Sequence, residues 1–415
     1  MTNPLRAALE RLVLPPGTDA AALPLLAGRA LRALVDGYMA VLLPAYLLAL
    51  GLGTLEVGVI ATATMLGSAF CTLAVGAWGH RFRSSRLLRA AALLMAATGL
   101  GFAAFSSFWP LLLVAFVGTL NPSSGDVSVF LPLEHARLAG AAGGRARTSL
   151  FARYSLAGAL CAAIGALAAA VPDALSGAGL SRLMALRVMF LVYGAAGLLV
   201  WWLYRRTPEP AASGATPPHA PLLASRRIVV RLAALFSVDA FAGGLVVNSL
   251  LSLWLLERFG VSLAQAGTFF FCAGLLSAIS QMAAPLVAAR IGLLNTMVFT
   301  HIPANICLVL AAFAPSLPWA LGLLLVRSAL SQMDVPTRTA YVMAVVTPAE
   351  RTAAASFTAV PRSLAGAVSP TLSGLLFAAG WISAPLVACG AIKIAYDLTL
   401  WRACRGDVLE DPGLR

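Results

Sequence analysis

Four aspartates lie within long apolar stretches of this 415-residue sequence, where charged side chains are rare. They are Asp36, Asp126, Asp239 and Asp334. A charged side chain at the centre of a membrane helix costs about 2.5–3.5 kcal/mol on insertion scales, so each acid needs a reason to be there. A carboxylate in such a place can exchange protons or bind a cation. We therefore predict that these acids are functional, with Asp36 in a cavity and proton coupling through Asp36 or through Asp126 and Asp334.

Basic residues also occur in these apolar stretches and can balance the acids. They are Arg153, Arg327, Arg338, Arg362 and Lys393. Arg153 follows Asp126 by 27 residues, and Arg362 follows Asp334 by 28. We predict two ion-pair clusters that act as a gate, Asp126 with Arg153, and Asp334 with Arg338 or Arg362. The alternative is that these are static structural pairs, since a buried ion pair does not need a function.

Four charged or titratable positions are expected to lie outside the predicted cavity and gate. Lys393 and Asp397 are four residues apart, a spacing that places both on one face of a helix and predicts a structural pair. Glu134 ends an apolar stretch and is expected at a solvated position. His301 is expected at the membrane interface.

A polar interruption precedes Asp126. It consists of Asn121, Pro122, Ser123 and Ser124. Proline frees a backbone carbonyl and bends a membrane helix, and irregular backbone at this depth is tolerated only against protein or a wet cavity. The interruption therefore predicts part of a translocation path. A simple packing kink is the alternative.

The apolar stretches themselves indicate membrane helices. Hydrophobic residues make up 60% of the chain and charged residues 11%, whereas soluble proteins carry about 25% charged residues. Each stretch is long enough to cross a hydrocarbon core of about 30 Å as a helix. We predict an all-α membrane protein with twelve transmembrane helices, called spans 1 to 12. They cover about residues 30–50, 56–78, 88–105, 109–134, 149–171, 185–204, 229–256, 263–287, 296–314, 319–342, 352–378 and 384–401.

The distribution of arginine predicts the orientation of these spans. The links after spans 2, 4, 6, 8 and 10 carry arginine, whereas those after spans 1, 3, 9 and 11 carry neither arginine nor lysine. Arg182 and Arg258, after spans 5 and 7, are exceptions. Basic residues stay on the cytoplasmic side, so we predict that both termini are cytoplasmic, in a bacterial inner membrane. The formal charge of +13 therefore indicates membrane topology and does not predict a nucleic-acid partner.

The two halves of the chain resemble each other. The sequence Ser-Leu-Ala-Gly-Ala begins at Ser155 and again at Ser363, 208 residues later, and Asp126 and Asp334 have the same separation. Two parallel six-helix halves are a known plan of transporters. Five segments are predicted along the chain. From the N-terminus they are a cytoplasmic segment (1–28), a six-helix bundle (29–204), a cytoplasmic linker (205–227), a second six-helix bundle (228–402) and a cytoplasmic tail (403–415).

This organisation resembles the major facilitator superfamily over nearly the whole chain. The link after span 2 is similar to the family pattern Gly-x-x-x-Asp-Arg, with Gly76 and Arg81 matching and His80 at the Asp position. The resemblance implies two pseudo-symmetric bundles in which spans 1, 4, 7 and 10 line a central cavity. It implies gate or ion-pair roles for Arg81 and for Arg290, 209 residues later. Residues 366–370 look like the Gly/Pro motif of drug antiporters, which favours efflux.

We therefore expect a secondary active transporter that moves a small solute by alternating access, coupled to H⁺ and working in efflux. An uptake symporter or a facilitator is the alternative, and a non-transporting receptor or structural protein is the alternative from another class. The chain has no HExxH, GxSxG or GxxxxGK[ST] motif, so we predict neither an enzyme nor an ATP-driven pump. We predict no cofactor and no metal, and a monomer in the lipid bilayer.

Overall fold

The structure is a computed structural model and describes residues 14–121, 128–205, 223, 225–347 and 350–406. These residues are helical, without strands, as the sequence predicts. The first half contains α1 (Leu23–Ala49), α2 (Thr54–Trp78), α3 (Ser84–Ala104), α4 (Phe108–Val117), α5 (Phe130–Ala141), α6 (Gly144–Leu167), α7 (Val171–Gly177) and α8 (Arg182–Arg205). The second half contains α9 (Arg226–Gly244), α10 (Asn248–Phe259), α11 (Leu263–Ile291), α12 (Leu293–Ala312), α13 (Leu317–Ser331), α14 (Asp334–Val345), α15 (Arg351–Ala378) and α16 (Ala384–Cys404).

Nine helical stretches in the described part are long and apolar enough to cross a membrane. They do not include predicted spans 4, 10 and 11. Span 4 is divided into α4 and α5, and span 10 into α13 and α14, so each piece is shorter than the roughly 20 residues that a crossing helix needs. Span 11 corresponds to α15, which has 28 residues but carries Arg351 and Arg362. The count of twelve is therefore supported for nine spans by length and composition.

The same pairs of helices pack together in each half. In the first half α1 packs against α6 and α8, and α3 packs against α8. In the second half α9 packs against α15 and α16, and α12 packs against α16. Spans 1, 5 and 6 thus repeat the packing of spans 7, 11 and 12. This agreement supports the internal repeat inferred from the sequence.

Glycines bring the central helices of each half into close contact. A Cβ atom added to Gly37 of α1 would overlap the carbonyl oxygen of Ala162, and one added to Gly165 of α6 would overlap that of Leu34. In the second half, a Cβ atom on Gly244 of α9 would overlap the carbonyl oxygen of Gly366 in α15. Small residues let membrane helices approach until their backbones touch. The hydrophobic effect does not drive helices together within lipid, so van der Waals packing of this kind stabilises their association.

The contacts divide the chain into two compact units. The first comprises Met1–Leu52, Ala63–Gly214 and Leu263–Phe271, and the second comprises Gly53–Thr62, Ala215–Ser262 and Cys272–Arg415. The first turns of α2 therefore belong to the second unit, and those of α11 to the first. The domain boundaries predicted from the sequence remain a prediction.

Candidate functional site

A buried charged cluster in the first unit joins α1, α5, α6 and α8. We call it the first cluster, and its members are Arg32, Glu134, Tyr154 and Tyr204. Arg32 is 4% exposed and Glu134 is fully buried. Nη1 of Arg32 lies 2.5 Å from Oε1 of Glu134, and Nη2 lies 2.8 Å from Oε2. Both tyrosine hydroxyls also donate to the Glu134 carboxylate. The carboxylate is thus surrounded by donors, which offsets its desolvation.

Local packing fixes the Arg32 side chain in this cluster. Its guanidinium carbon lies 3.9 Å from the centroid of the Phe130 ring, a cation–π distance. Gly28, one turn earlier on α1, leaves room for Tyr204, because a Cβ atom there would overlap the phenol. The prediction that Glu134 is solvated is wrong. The side chain enters the protein because Arg32, 102 residues earlier, provides the partner that makes its burial tolerable.

Asp36 lies one turn after Arg32 on α1 and has no such partner. The residue is partly buried, and its Oδ1 atom is buried without a hydrogen-bond partner among the described residues. Arg32 does not approach it within ion-pair distance because both terminal nitrogens of Arg32 bind Glu134. The buried Tyr193 interacts with Asp36 electrostatically. Arg32 and Arg29 act on Asp36 only beyond ion-pair distance. A carboxylate without an ion-pair partner can take up a proton to relieve the cost of burial.

A second buried cluster lies in the second unit and joins α9, α14 and α16. We call it the second cluster, and its members are Asp239, Asp334, Arg338 and Lys393, all less than 9% exposed. Nη2 of Arg338 lies 3.0 Å from Oδ2 of Asp239 and also binds Oδ2 of Asp334. Nζ of Lys393 lies 2.5 Å from Oδ1 of Asp239. The structure thus brings together Asp334 and Arg338, one of the two predicted pairings, and adds Asp239 from another helix.

Arg338 uses only part of its hydrogen-bonding capacity. Its Nη2 atom serves both carboxylates, whereas Nε and Nη1 are buried without a partner among the described residues. The ring of Phe236, 5.3 Å from the guanidinium carbon, covers one face of the group. Arg362 of α15 is exposed and forms no ion pair in the described part, but it interacts electrostatically with Arg338 and Asp239.

The expected pair between Lys393 and Asp397 does not form in the described structure. Lys393 binds Asp239 instead, and both carboxylate oxygens of Asp397 lie 3.0 Å from Nδ1 of His301. Longer-range partners from α9 and α12 thus replace the contact between neighbours on α16. His301 is 4% exposed inside the second unit, and its expected position at the membrane interface remains a prediction.

The two clusters repeat each other with the charges exchanged. In the first, Arg32 of α1 lies over Phe130 of α5, and in the second Arg338 of α14 lies over Phe236 of α9. Arg32 and Phe236 are 204 residues apart, and Phe130 and Arg338 are 208 apart. The arginine and the ring have therefore changed places between equivalent helices. A cation–π contact is thus present in both units, at 3.9 Å in the first and 5.3 Å in the second, with its two partners exchanged.

The remaining predicted site residues are found elsewhere in the described part of the chain or lie outside it. Arg81 and Arg290 are exposed, and neither forms an ion pair within 4 Å in the described part. Arg153 is partly buried on α6, and Asn121 is buried just after α4. The other members of that interruption and the acid after it, Pro122, Ser123, Ser124 and Asp126, lie outside the described residues, so the pairing of Asp126 with Arg153 remains a prediction. Among described residues, no group of three His, Cys, Asp or Glu side chains is placed to bind a metal.

The structure has two repeated helical halves, and each carries buried charges on its first and fourth spans. A comparison of the sequence with protein families agrees with this architecture. The family model of the Major Facilitator Superfamily matches residues 25–333. The chain belongs to this superfamily.

Similar proteins extend the superfamily likeness over most of the chain. A relative, an uncharacterized membrane protein of Saccharomyces cerevisiae, is 24% identical over 412 residues, covering 89% of this chain and 91% of the relative. The structure of the E. coli xylose transporter XylE has a TM-score of 0.72 at 15% identity, covering 92% of this chain and 96% of XylE. A bacterial homolog of the human lysosomal transporter Spinster has a TM-score of 0.70 at 16% identity, covering 97% and 96%. These two structures are evidence for the fold alone.

Because it belongs to this superfamily, the protein is a multi-pass membrane protein with a solute-transporter fold and is not an enzyme. The prediction of an all-α major facilitator fold is thereby confirmed. The yeast relative means that similar proteins are not confined to bacteria. The bacterial inner membrane and the cytoplasmic termini therefore remain predictions.

Proposed function

We propose that this protein is a secondary active transporter that couples movement of a small solute to H⁺, with Asp36 as the proton-carrying group. The observation that carries the proposal is the unpartnered, buried Oδ1 atom of Asp36 in the described structure. A carboxylate in a membrane helix is costly when charged, and protonation removes that cost. The residue as a whole is only partly buried, so its side chain is not completely enclosed by protein.

The other buried acids are poorer candidates for this role. Glu134 binds Arg32, Asp239 binds Arg338 and Lys393, and each pair is within 3.0 Å. Neighbouring cations stabilise the charged form of a carboxylate and so oppose proton uptake. Asp36 is the acid in this group that lacks such a cation within ion-pair distance.

The internal repeat gives a reason for this difference. α8 and α16 occupy matching places, and Tyr193 of α8 precedes Lys393 of α16 by 200 residues. Lys393 binds Asp239, whereas the neutral Tyr193 is the corresponding neighbour of Asp36. In the first half Asp36 therefore lacks an ion-pair partner at the position where, in the second half, Asp239 is paired with Lys393.

The proposed transport is efflux from the cytoplasm of a bacterium, by a monomer whose termini are both cytoplasmic. The Gly/Pro sequence at residues 366–370, which lies in α15, supports this direction by its similarity to drug antiporters. Uptake by symport or facilitated diffusion is the alternative direction, and a receptor without transport is the alternative class.

The test has a part that needs no knowledge of the cargo. Infrared difference spectra of the purified protein are recorded as the pH is changed, because a protonated carboxyl group absorbs apart from a carboxylate. We expect one protonation band to be absent in Asp36→Asn and retained in Asp173→Asn, a matched change at an exposed position in α7. Identical spectra for Asp36→Asn and the unchanged protein would show that Asp36 does not titrate.

The second part measures coupling. Solutes that raise the thermal stability of the protein are loaded into proteoliposomes, and an acid or alkaline gradient is imposed. We expect the gradient to drive transport by the unchanged protein and by Asp173→Asn, and not by Asp36→Asn. Transport that ignores the gradient in all three proteins would mean facilitated diffusion.

A further inference from the structure

Arg362 of α15 adds a third cation beside the second cluster, whose own two cations and two carboxylates balance. Arg338 and Lys393 form ion pairs with Asp239 and Asp334. Arg362 interacts with this group only electrostatically. Asp397 is a further acid nearby, but both of its oxygens contact Nδ1 of His301 and it forms no ion pair with the cluster in the described part. Among the described residues, Arg362 therefore has no carboxylate within ion-pair distance.

Donors are left open at the same place. The Arg338 side chain is 8% exposed, yet its Nε and Nη1 atoms have no partner in the described part. Buried donors without an acceptor are rare because each one loses its hydrogen bonds to water and gains none in return. The strongest electrostatic interaction of Arg362 with a charged residue is repulsion from Arg338. Two guanidinium groups that repel each other and have unused donors are stabilised by a shared anion.

The first cluster shows what a closed version of this arrangement looks like. Tyr154 precedes Arg362 by 208 residues and is therefore its counterpart in the repeat. Tyr154 donates to Glu134, and both terminal nitrogens of Arg32 are also bound to that carboxylate. In the first unit the Glu134 carboxylate is thus the hydrogen-bond acceptor for these donors. In the second unit the Nε and Nη1 donors of Arg338 have no acceptor among the described residues. A purely structural role does not explain why the guanidinium of Arg362 is exposed and without an ion pair in the described part.

We propose that Arg338 and Arg362 bind an oxyanion, so that the solute carries a carboxylate or phosphate group. This inference rests on the proposed transport function, since it names the chemistry of the cargo. Arg362 is the accessible group that captures the anion, and the open edge of Arg338 is the fixed group that orients it. The Phe236 ring holds the guanidinium plane of Arg338 in place.

Thermal unfolding of the full chain in detergent tests the site, with acetate, succinate and inorganic phosphate as probes at constant ionic strength maintained with sodium chloride. We expect a saturable rise in melting temperature with one or more of them. Arg362→Gln should raise the apparent Kd at least tenfold, and Arg362→Lys should have a smaller effect because it keeps the charge. Arg402→Gln, at an exposed position of α16, should bind as the unchanged protein does.

Three results would overturn the site. The first is the absence of a saturable rise in melting temperature with any probe, and the second is an equal rise in Arg362→Gln and the unchanged protein. Phosphatidylglycerol is added as a lipid probe, and the third result is a rise in melting temperature with this lipid and with none of the soluble anions. Binding and transport are read separately. If succinate binds through Arg362 but no solute moves in proteoliposomes, the site is right and the transport proposal is wrong. If only neutral or cationic solutes move, transport is right and the oxyanion site is wrong.

Discussion

Arg32 and Glu134 are 102 residues apart in the sequence and form a buried two-point ion pair, with Nη1–Oε1 and Nη2–Oε2 distances of 2.5 and 2.8 Å. The pair ties α1 to α5, the helix that follows the break in span 4. Tyr154 and Tyr204 add donors from α6 and α8, so four helices of the first unit meet at one carboxylate. The cluster is therefore a junction on which the packing of that unit depends.

The first prediction follows from this junction. Glu134→Gln leaves Arg32 buried without a counter-charge, and removing one partner of a buried pair costs about 3–5 kcal/mol. We expect a large fall in the thermal stability of the purified protein, measured by intrinsic fluorescence in detergent. Glu257→Gln, the same change at an exposed position, should have little effect. Equal melting temperatures for the two variants would mean that the junction does not stabilise the fold.

The second prediction concerns the partner of Lys393. A double-mutant cycle of Lys393→Met with Asp239→Asn should give a coupling energy of about 0.5–3 kcal/mol, as for residues in one ion-pair network. The same cycle with Asp397→Asn should give a much smaller coupling, since Asp397 binds His301. Thermal or denaturant unfolding measures both cycles. A larger coupling to Asp397 would restore the pairing expected from the sequence.

Much of the fold can be predicted from the sequence because it depends on local properties. Long apolar stretches and the placement of arginine predict membrane helices, and the repeated sequence at Ser155 and Ser363 predicts two equivalent halves. In the structure, the repeated glycines Gly158 and Gly366 both face the first helix of their half, against Arg29 and Ala240 respectively. Periodicity and repetition therefore carry real information about packing.

The composition of the clusters is harder to predict because it depends on contacts distant in sequence. Glu134 ends an apolar stretch and looks solvated until Arg32 of another helix is placed beside it. Arg32 could have indicated this pair from the sequence, because a buried cation within span 1 requires an acidic partner. Lys393 has an acid four residues away, but α9 brings Asp239 closer. Pairing rules for neighbours on one helix are weak, about 0.2–0.5 kcal/mol, and tertiary contacts override them.

The third prediction tests the close contact of α1 and α6. A Cβ atom at Gly165 would overlap the Leu34 carbonyl oxygen, so Gly165→Ala must push the two helices apart. Gly322 of α13 has no atom within 4 Å of an added Cβ, which makes Gly322→Ala a matched control. We expect Gly165→Ala to lower the melting temperature and Gly322→Ala to leave it unchanged or raise it, since alanine favours helix by about 1 kcal/mol. Equal effects would contradict the close packing.

The last prediction concerns Asp334 as a gate residue. Asp334 is the first residue of α14, directly after the break in span 10, and it binds Arg338 one turn later. Asp334→Asn removes one carboxylate, but Arg338 keeps Asp239 as a counter-ion 3.0 Å away. We therefore expect the protein to fold and to transport its solute more slowly. The positive charge of the cluster also rises, so an oxyanion should bind more tightly and leave more slowly.

Two measurements on the same variants test this explanation. Succinate binding is followed by thermal shift, and transport of the solute found in the stability screen is measured in proteoliposomes. Asp334→Asn should show a lower Kd together with slower transport, whereas Asp334→Glu, which keeps the charge, should recover part of the rate. Asp173→Asn provides the control at an exposed acid. Unchanged transport by Asp334→Asn would rule out a gate at this residue, because the charge that was proposed to hold the gate would then be dispensable.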